Sequence, residues 1–305
     1  HLGPLRPTSG KMPIERPFMT RSPQTLTHAL LDAARKAGAD SADAIAVDGT
    51  SLSIDVRAGA LEQAERAEGT DIGLRVFVGQ RSAVVSASDT RPETMAAMAE
   101  RAVAMAREAP EDPYAGLADP AQLTTNTDSR HLELDDPAPE PSPAALEDDA
   151  RRAEAAALAV DGVTQVQSAS AAYGARVVHL AASNGFSGGY RRTSRHLSCV
   201  AIAGEGLGME RDYDGDGRSF QADLRDAQDI GHTAAQRAVA RLAPRKPKTG
   251  AYPVLFDERI SSSLIGHLMA AASGSAVARG ASWLRDAVGD SAASTPITIM
   301  AASGP

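Results

Sequence analysis

Residues 251–273 read AYPVLFDERISSSLIGHLMAAAS. The apolar stretch at residues 252–256 predicts a short strand, and the small residues after it predict a helix that carries one histidine, His267. A zinc-peptidase helix presents two histidines and a glutamate that activates water. Ser262 and Ser263, more than one turn before His267, supply neither a nitrogen ligand nor a general base. This helix is therefore predicted to hold no metal and no catalytic residue.

Three further motifs precede this helix in the chain. They are DPYAGL at residues 112–117, RHLSCV at 195–200 and MERDY at 209–213, the last formed by Met209, Glu210, Arg211, Asp212 and Tyr213. The helix adds the motif positions Ser262, Ser263, Gly266 and His267. Together the motifs resemble the TldD/TldE (PmbA) family, the modulators of DNA gyrase, over residues 26–288. In the family the TldD helix carries His-Glu-x-x-x-His, whereas the TldE helix keeps only Gly-His, as this chain does.

The resemblance implies a function that this chain does not perform alone. A TldE-type subunit forms a heterodimer with a TldD-type subunit, and the pair is a metallopeptidase that cleaves unfolded or extended peptides, including the leaders of peptide antibiotics. The zinc belongs to the TldD-type partner, so no cofactor is expected in this chain. An independent peptidase would need His-Glu in place of Ser262-Ser263. The alternative function is modulation of DNA gyrase by protein binding, without peptidase activity.

Composition limits the location and the partners of the chain. The 305 residues carry a net charge of −8 with both signs interspersed, which disfavours direct binding to nucleic acid. No apolar run approaches the ~20 residues of a membrane span. Cys199 is the single cysteine and is predicted to be a small buried strand residue, as suits a reducing compartment. We expect a cytoplasmic protein with no membrane partner.

The order of the predicted elements indicates an α+β fold. We predict a disordered tail at residues 1–23, an N-terminal helix and antiparallel-sheet unit at 24–118, a central α+β unit at 119–249 and the incomplete start of a β-rich C-terminal domain at 250–305. The resemblance fades after Gly289, and TldE proteins continue further. Large apolar side chains after residue 251 are therefore expected to lack burial; they are Leu255, Phe256, Leu264, Ile265, Leu268 and Trp283.

Hydrophobic periodicity places the elements of the first half. Helices are predicted at residues 24–39 and 92–108, and strands at 42–47, 52–57, 71–78 and 81–88. Asp48-Gly49 and Gly79-Gln80 predict hairpin turns between these strands. Thr90 is the predicted N-cap of the second helix, before Pro92.

The second half begins with a connection that is rich in Pro, Asp and Glu, at residues 110–143. Helices are predicted at 144–160 and 226–242, and strands at 163–173, 176–182 and 194–203. Ser142 is the predicted N-cap of the first of these helices. Asn184-Gly185 and Gly188-Gly189 are expected to form turns.

Other motifs indicate chemistry only weakly. The residues at 212–217, DYDGDG, match half of a calcium loop but have Asp223 where a bidentate Glu is needed. The glycines at 204–208 lack the spacing of a dinucleotide loop, and Ser187 has no triad spacing. His179 and His196, on neighbouring predicted strands, could face each other. Without a third ligand we interpret them as structural.

Overall fold

The structure, a computed structural model, describes residues 21–287 and 289–290. The described residues form two compact units, which divide between Pro244 and Arg245. Only the last three residues of the predicted tail are described, so the disorder expected there lies outside the described part of the chain.

Twelve helices and strands make up the regular structure of the described residues. The first unit contains α1 (Pro23–Ala37), β1 (Ser41–Arg57), β2 (Ala60–Val78), β3 (Arg81–Ala87), α2 (Pro92–Glu108), α3 (Pro143–Leu158), β4 (Val163–Ala182), β5 (Ser187–Ala203), β6 (Glu210–Arg218) and α4 (Ala227–Ala240). The second unit contains α5 (Glu258–Ala271) and α6 (Gly274–Ala278). No helix in the described residues is long and apolar enough to cross a membrane.

One antiparallel sheet organises the first unit and confirms the predicted α+β class. Its strand order is β3-β2-β1-β4-β5-β6. β1 pairs with β2 on one side and with β4 on the other, from Asp43↔Ala182 to Val56↔Ala169. Strands from both sides of the predicted boundary at residue 118 therefore share one sheet.

The predicted hairpin at Asp48-Gly49 is wrong, because β1 continues through both residues. Gly49 pairs with Gly69 on β2 and with Arg176 on β4. A central strand is held by a ladder on each side, and this outweighs the local turn preference of Asp-Gly. The turn between β1 and β2 lies instead at Ala58 and Gly59, which have φ of 52° and 69°.

Two further expectations for strand ends are also wrong. β4 is continuous where a break at residues 174–175 was expected, and β5 begins at Ser187 and not at 194. Gly188 and Gly189 lie within β5. A Cβ on Gly189 would lie 2.4 Å from the carbonyl oxygen of Val178, so this glycine permits close strand approach and does not form a turn.

The helix boundaries and two turns agree with the sequence more closely. Ser142 caps α3 by accepting a hydrogen bond from the Ala145 amide at 3.1 Å, as predicted. Gly79 and Gly185 have φ of 57° and 100° at the predicted turns. Thr90, however, is not the cap of α2: Arg91 occupies that position, and its side chain forms no capping bond.

Four helices cover one face of the sheet. α1 and α2 pack on β1–β3, and α3 and α4 pack chiefly on β4–β6. Along β1, the side chains of Ala44, Ala46, Leu52 and Ile54 point into these cores, while odd-numbered residues such as Ser53 lie on the opposite face. That second face, which none of the four described helices of the first unit covers, is called the open face below.

The predicted connection between α2 and α3 runs past the first part of β5. Residues 187–194 of β5 have no strand partner on that side among the described residues, because β6 pairs with β5 only from Arg195 onward. It contains two short 3₁₀ turns, Pro120–Gln122 and Arg130–Leu132. The Thr193 amide donates to the Leu134 carbonyl at 3.0 Å, and the Asp136 amide donates to the Thr193 hydroxyl at 2.7 Å. The connection therefore satisfies backbone groups that an edge strand would leave unpaired.

The second unit is described up to residue 290. The strand predicted at residues 252–256 is wrong, because these residues have no regular secondary structure. A strand needs a partner, none of the described residues of this unit supplies one, and Pro253 has no amide to donate. Exposed apolar side chains are common here, as expected; they include Leu255, Phe256, Leu264, Ile265 and Trp283. Leu268 is half-buried.

Candidate functional site

The motif helix α5 forms as predicted. Asp257 begins it by accepting a hydrogen bond from the Arg259 amide at 3.0 Å. Ser262, Ser263, Gly266 and His267 are all exposed. The Ser263 hydroxyl donates to the Ile260 carbonyl at 2.6 Å, so it bonds to its own helix.

α5 carries one imidazole, several hydroxyl groups and, in its first turn, the exposed carboxylate of Glu258. A peptidase zinc site requires three protein ligands and a base. Among the described residues, no group of three or more His, Cys, Asp or Glu side chains is arranged to hold a metal ion. His267 is thus the single nitrogen ligand that α5 presents to solvent.

The MERDY signature leads into and forms the start of edge strand β6, so its side chains alternate between the two faces of the sheet. Asp212 points toward the helices and is buried. Arg211 and Tyr213 lie on the open face, where the Arg211 guanidinium donates to the side-chain oxygen of Gln167 at 3.1 Å. Met209 and Tyr213 are about half exposed. One half of the signature is therefore structural, and the other half is available for contact.

Buried carboxylates on β6 fasten α4 to the sheet. Asp212 accepts from the Arg241 Nε at 2.8 Å. Asp214 accepts from Arg237 at 2.7 Å and from Arg225 at 2.8 Å. The calcium-loop pattern does not form a loop, because its backbone is extended in β6 and its three carboxylates are paired with arginines, Asp216 with Arg218. Sequence reasoning missed the ion pairs of Asp212 and Asp214, since their arginines lie 11 to 29 residues away.

Two shallow depressions lie on the open face. One, of about 510 Å³, is lined by Gly49, Ser51, Gly69 and Arg176 among others. The second, of about 410 Å³, is lined by His196, Ser198, Tyr213, Gly215 and Gly217 among others. A lateral row of paired residues, Ser53–Ala172–His196–Gly217, crosses four strands and ends in the second depression. The centre of the open face is therefore a wide surface of small side chains and not an enclosed pocket.

His179 and His196 do not face each other, contrary to the sequence expectation. His179 pairs with Gly189 and His196 pairs with Ala172, so they lie at different levels of the β4–β5 ladder. They also point to opposite faces, because alternation along β4 places His179 with the helices. The partner of His179 is His28 of α1, with ring centroids 6.1 Å apart. Sequence periodicity gives no signal for this contact.

Cys199 is buried on β5, as predicted. Burial is the main cause that raises the pKa of its thiol to about 12, and the nearby carboxylates of Glu154 and Asp214 add to the shift. The reactive thiolate is thus scarce near neutral pH.

The glycines at 204–208 form a turn with a short 3₁₀ segment that leads into β6 and not into a helix, which excludes the dinucleotide-loop geometry.

Three family models match the chain in order. The PmbA/TldA metallopeptidase domain 1 matches residues 42–106, the central domain matches 136–242, and the C-terminal domain matches 249–303. The chain belongs to the PmbA/TldD family. This membership confirms the resemblance predicted from the sequence motifs. The expectation that the resemblance fades after Gly289 is wrong, because the C-terminal domain matches as far as residue 303.

Two curated relatives agree with this membership. The chain is 34% identical over 253 residues to Metalloprotease PmbA of Escherichia coli O157:H7, which covers 82% of this chain and 55% of that protein. It is 30% identical over 260 residues to the Metalloprotease PmbA homolog of Haemophilus influenzae, covering 85% and 57%. The chain thus spans a little more than half the length of these relatives.

Solved structures share the fold. A Bacteroides thetaiotaomicron protein described as a modulator of DNA gyrase matches with a TM-score of 0.78 and 23% identity, covering 86% of this chain and 60% of that one. A Thermotoga maritima protein of the same description gives 0.66 and 18%, covering 86% and 58%. TldE from Thermococcus kodakarensis gives 0.57 and 17%, covering 70% and 47%. At these identities the likeness shows the fold alone.

Proposed function

We propose that this chain is the TldE-type subunit of a TldD–TldE metallopeptidase, that it does not catalyse alone, and that the pair cleaves unfolded or extended peptides such as peptide-antibiotic leaders. The observation that carries the proposal is the chemistry of α5, where Ser262 and Ser263 occupy the positions of the family's His-Glu. Identity to Metalloprotease PmbA over most of this chain supports it.

The geometry of α5 supports a passive role in zinc chemistry. A catalytic zinc is held by imidazoles and carboxylates, and the hydroxyls of Ser262 and Ser263 are neither. The Ser263 hydroxyl already donates to the Ile260 carbonyl. The catalytic zinc is therefore assigned to the TldD-type partner, whose helix carries both histidines and the glutamate.

Two further features support the proposed substrate and location. The sheet has two edge strands, β3 and β6. An extended peptide can bind by adding a strand to such an edge, because its backbone then makes the hydrogen bonds whatever its sequence. A single buried cysteine without a disulfide partner supports a cytoplasmic location.

The experiment compares substitutions in the two subunits of a reconstituted pair. We expect Ser262→Ala and His267→Ala in this chain to leave the turnover of an unfolded peptide within about twofold of wild type. Replacing either motif histidine of the TldD-type partner should abolish cleavage, because it removes a zinc ligand. Loss of chelator-sensitive cleavage on changing Ser262 or His267, with the complex intact by gel filtration, would contradict the proposal.

A further inference from the structure

Two imidazole nitrogens and one hydroxyl converge between α1 and the β4–β5 hairpin. The Nε2 atoms of His28 and His179 each lie 3.4 Å from the hydroxyl oxygen of Ser187. His28 and Ser187 are exposed, and His179 is half-buried. The three residues lie on three different elements, so the fold brings them together and local sequence does not.

A neighbouring threonine fixes the tautomer of His179. The Thr27 hydroxyl, which is fully buried, donates its one proton to the Gln24 carbonyl at 2.9 Å. The same oxygen lies 2.8 Å from Nδ1 of His179, so it accepts a hydrogen bond there and Nδ1 carries the hydrogen. The Nε2 atom of His179 therefore carries no hydrogen, and its lone pair faces the Ser187 hydroxyl.

This arrangement is the one that metal-ligating histidines adopt. A ligating imidazole donates its second ring N–H to an oxygen acceptor, which holds the ring in place and makes the other nitrogen more basic.

We propose that His28 Nε2, His179 Nε2 and Ser187 Oγ bind a divalent first-row transition-metal ion such as Zn²⁺, with water completing its coordination. Two imidazoles without a carboxylate select ions of the zinc and copper type over Mg²⁺ and Ca²⁺. His28 is exposed on α1, so its ring is free to turn toward the ion. With only two nitrogen ligands the ion is exchangeable, and it is not the catalytic zinc.

Such an ion would connect α1 to the β4–β5 hairpin. Because the ligands come together only in the folded chain, binding stabilises the native state as the ion concentration rises. The site is remote in sequence from α5 and independent of the proposed peptidase function. Sequence analysis missed it, because His28 and His179 are 151 residues apart.

Zinc titration of the untagged, chelator-stripped chain tests the proposal, with affinity measured by competition against a chromogenic chelator and with the thermal midpoint as a second readout. We expect one Zn²⁺ per chain and a raised midpoint, tighter binding of Cu²⁺, and no shift with equal Mg²⁺. His28→Gln and His179→Ala should each weaken binding at least about tenfold, and Thr27→Val by about 10- to 100-fold through loss of the acceptor.

His131→Ala and His196→Ala are matched controls and should keep wild-type affinity. Far-UV circular dichroism of each metal-free variant checks folding, and the exposed position of His28 makes its variant the safest. Unchanged zinc affinity in both folded His28→Gln and His179→Ala, or no binding at all, would overturn the proposal. His179→Ala paired with the TldD-type partner should cleave normally, so this site and the proposed function can fail separately.

Discussion

Gly231 determines how closely α3 and α4 pack. A Cβ at this position would lie 2.0 Å from the carbonyl oxygen of Ala153, which belongs to the backbone of α3 and cannot rotate away. The cores on this side of the sheet consist largely of alanine, so the two helices approach at backbone distance. Glycine is thus required here by packing and not by a turn.

We predict that Gly231→Ala destabilises the first unit by about 2–3 kcal/mol, because the added methyl group overpacks a rigid contact. Urea unfolding followed by circular dichroism measures the change. The matched control is Gly69→Ala on β2, where a Cβ meets no atom within 4 Å, and it should change stability by less than about 1 kcal/mol. Equal stability of both variants would mean that α3 and α4 do not approach as described.

Contacts at the residue scale were the least predictable from sequence. Asp212 and Asp214 could be found as a motif, but their arginine partners on and near α4 could not, because an ion pair leaves no periodic signal. The same holds for His28 and His179, which meet through the tertiary fold. Cys199 was predictable, since an apolar strand position favours burial.

At the scale of elements, helices were predicted well and strands less well. Helix ends depend on local signals such as the Ser142 cap and Pro143, and these are readable in the sequence. The ends of β1 and β4 depend on neighbours in the sheet, which carry the strands through Gly49 and Gly174. Turn-forming residues inside a central strand therefore misled the prediction.

The strand predicted at residues 252–256 does not form for the same reason, because a strand depends on its neighbours. Its apolar residues fit a strand, but they pair with no other strand among the described residues. Each large apolar side chain left uncovered forgoes roughly 1.5–3 kcal/mol. Leu255 is 98% exposed and Trp283 is 69% exposed.

We predict that residues 252–287 exchange their amide hydrogens faster than α3, whose inner side chains such as Ala150 are fully buried. Hydrogen exchange with mass spectrometry measures this, and α3 serves as the internal reference. Trp283 is the one tryptophan of the chain, so its emission should resemble that of tryptophan in water. Strong protection of residues 264–283 in a monomer, with blue-shifted emission, would show that the segment buries itself.

At the scale of the whole molecule, the fold class followed from the order of helices and strands, but the single sheet did not. The sequence predicted two successive segments, residues 24–118 and 119–249. In the structure β1 of the first segment pairs with β4 of the second, so their strands share one sheet. The functional reading came from motifs that resemble a family, and family models over three stretches confirmed that family. Residue patterns alone did not identify a reaction, because α5 lacks the second histidine and the glutamate of a zinc-peptidase helix.

We propose that peptidase activity belongs to a pair of subunits and that the catalytic zinc belongs to the TldD-type subunit. The most direct measurement is cleavage of one unfolded peptide by this chain, by a TldD-type subunit and by their equimolar mixture, each with and without a chelator. We expect no cleavage by this chain alone, and chelator-sensitive cleavage by the mixture that exceeds the sum of its parts. Cleavage by this chain alone at the rate of the mixture would contradict it.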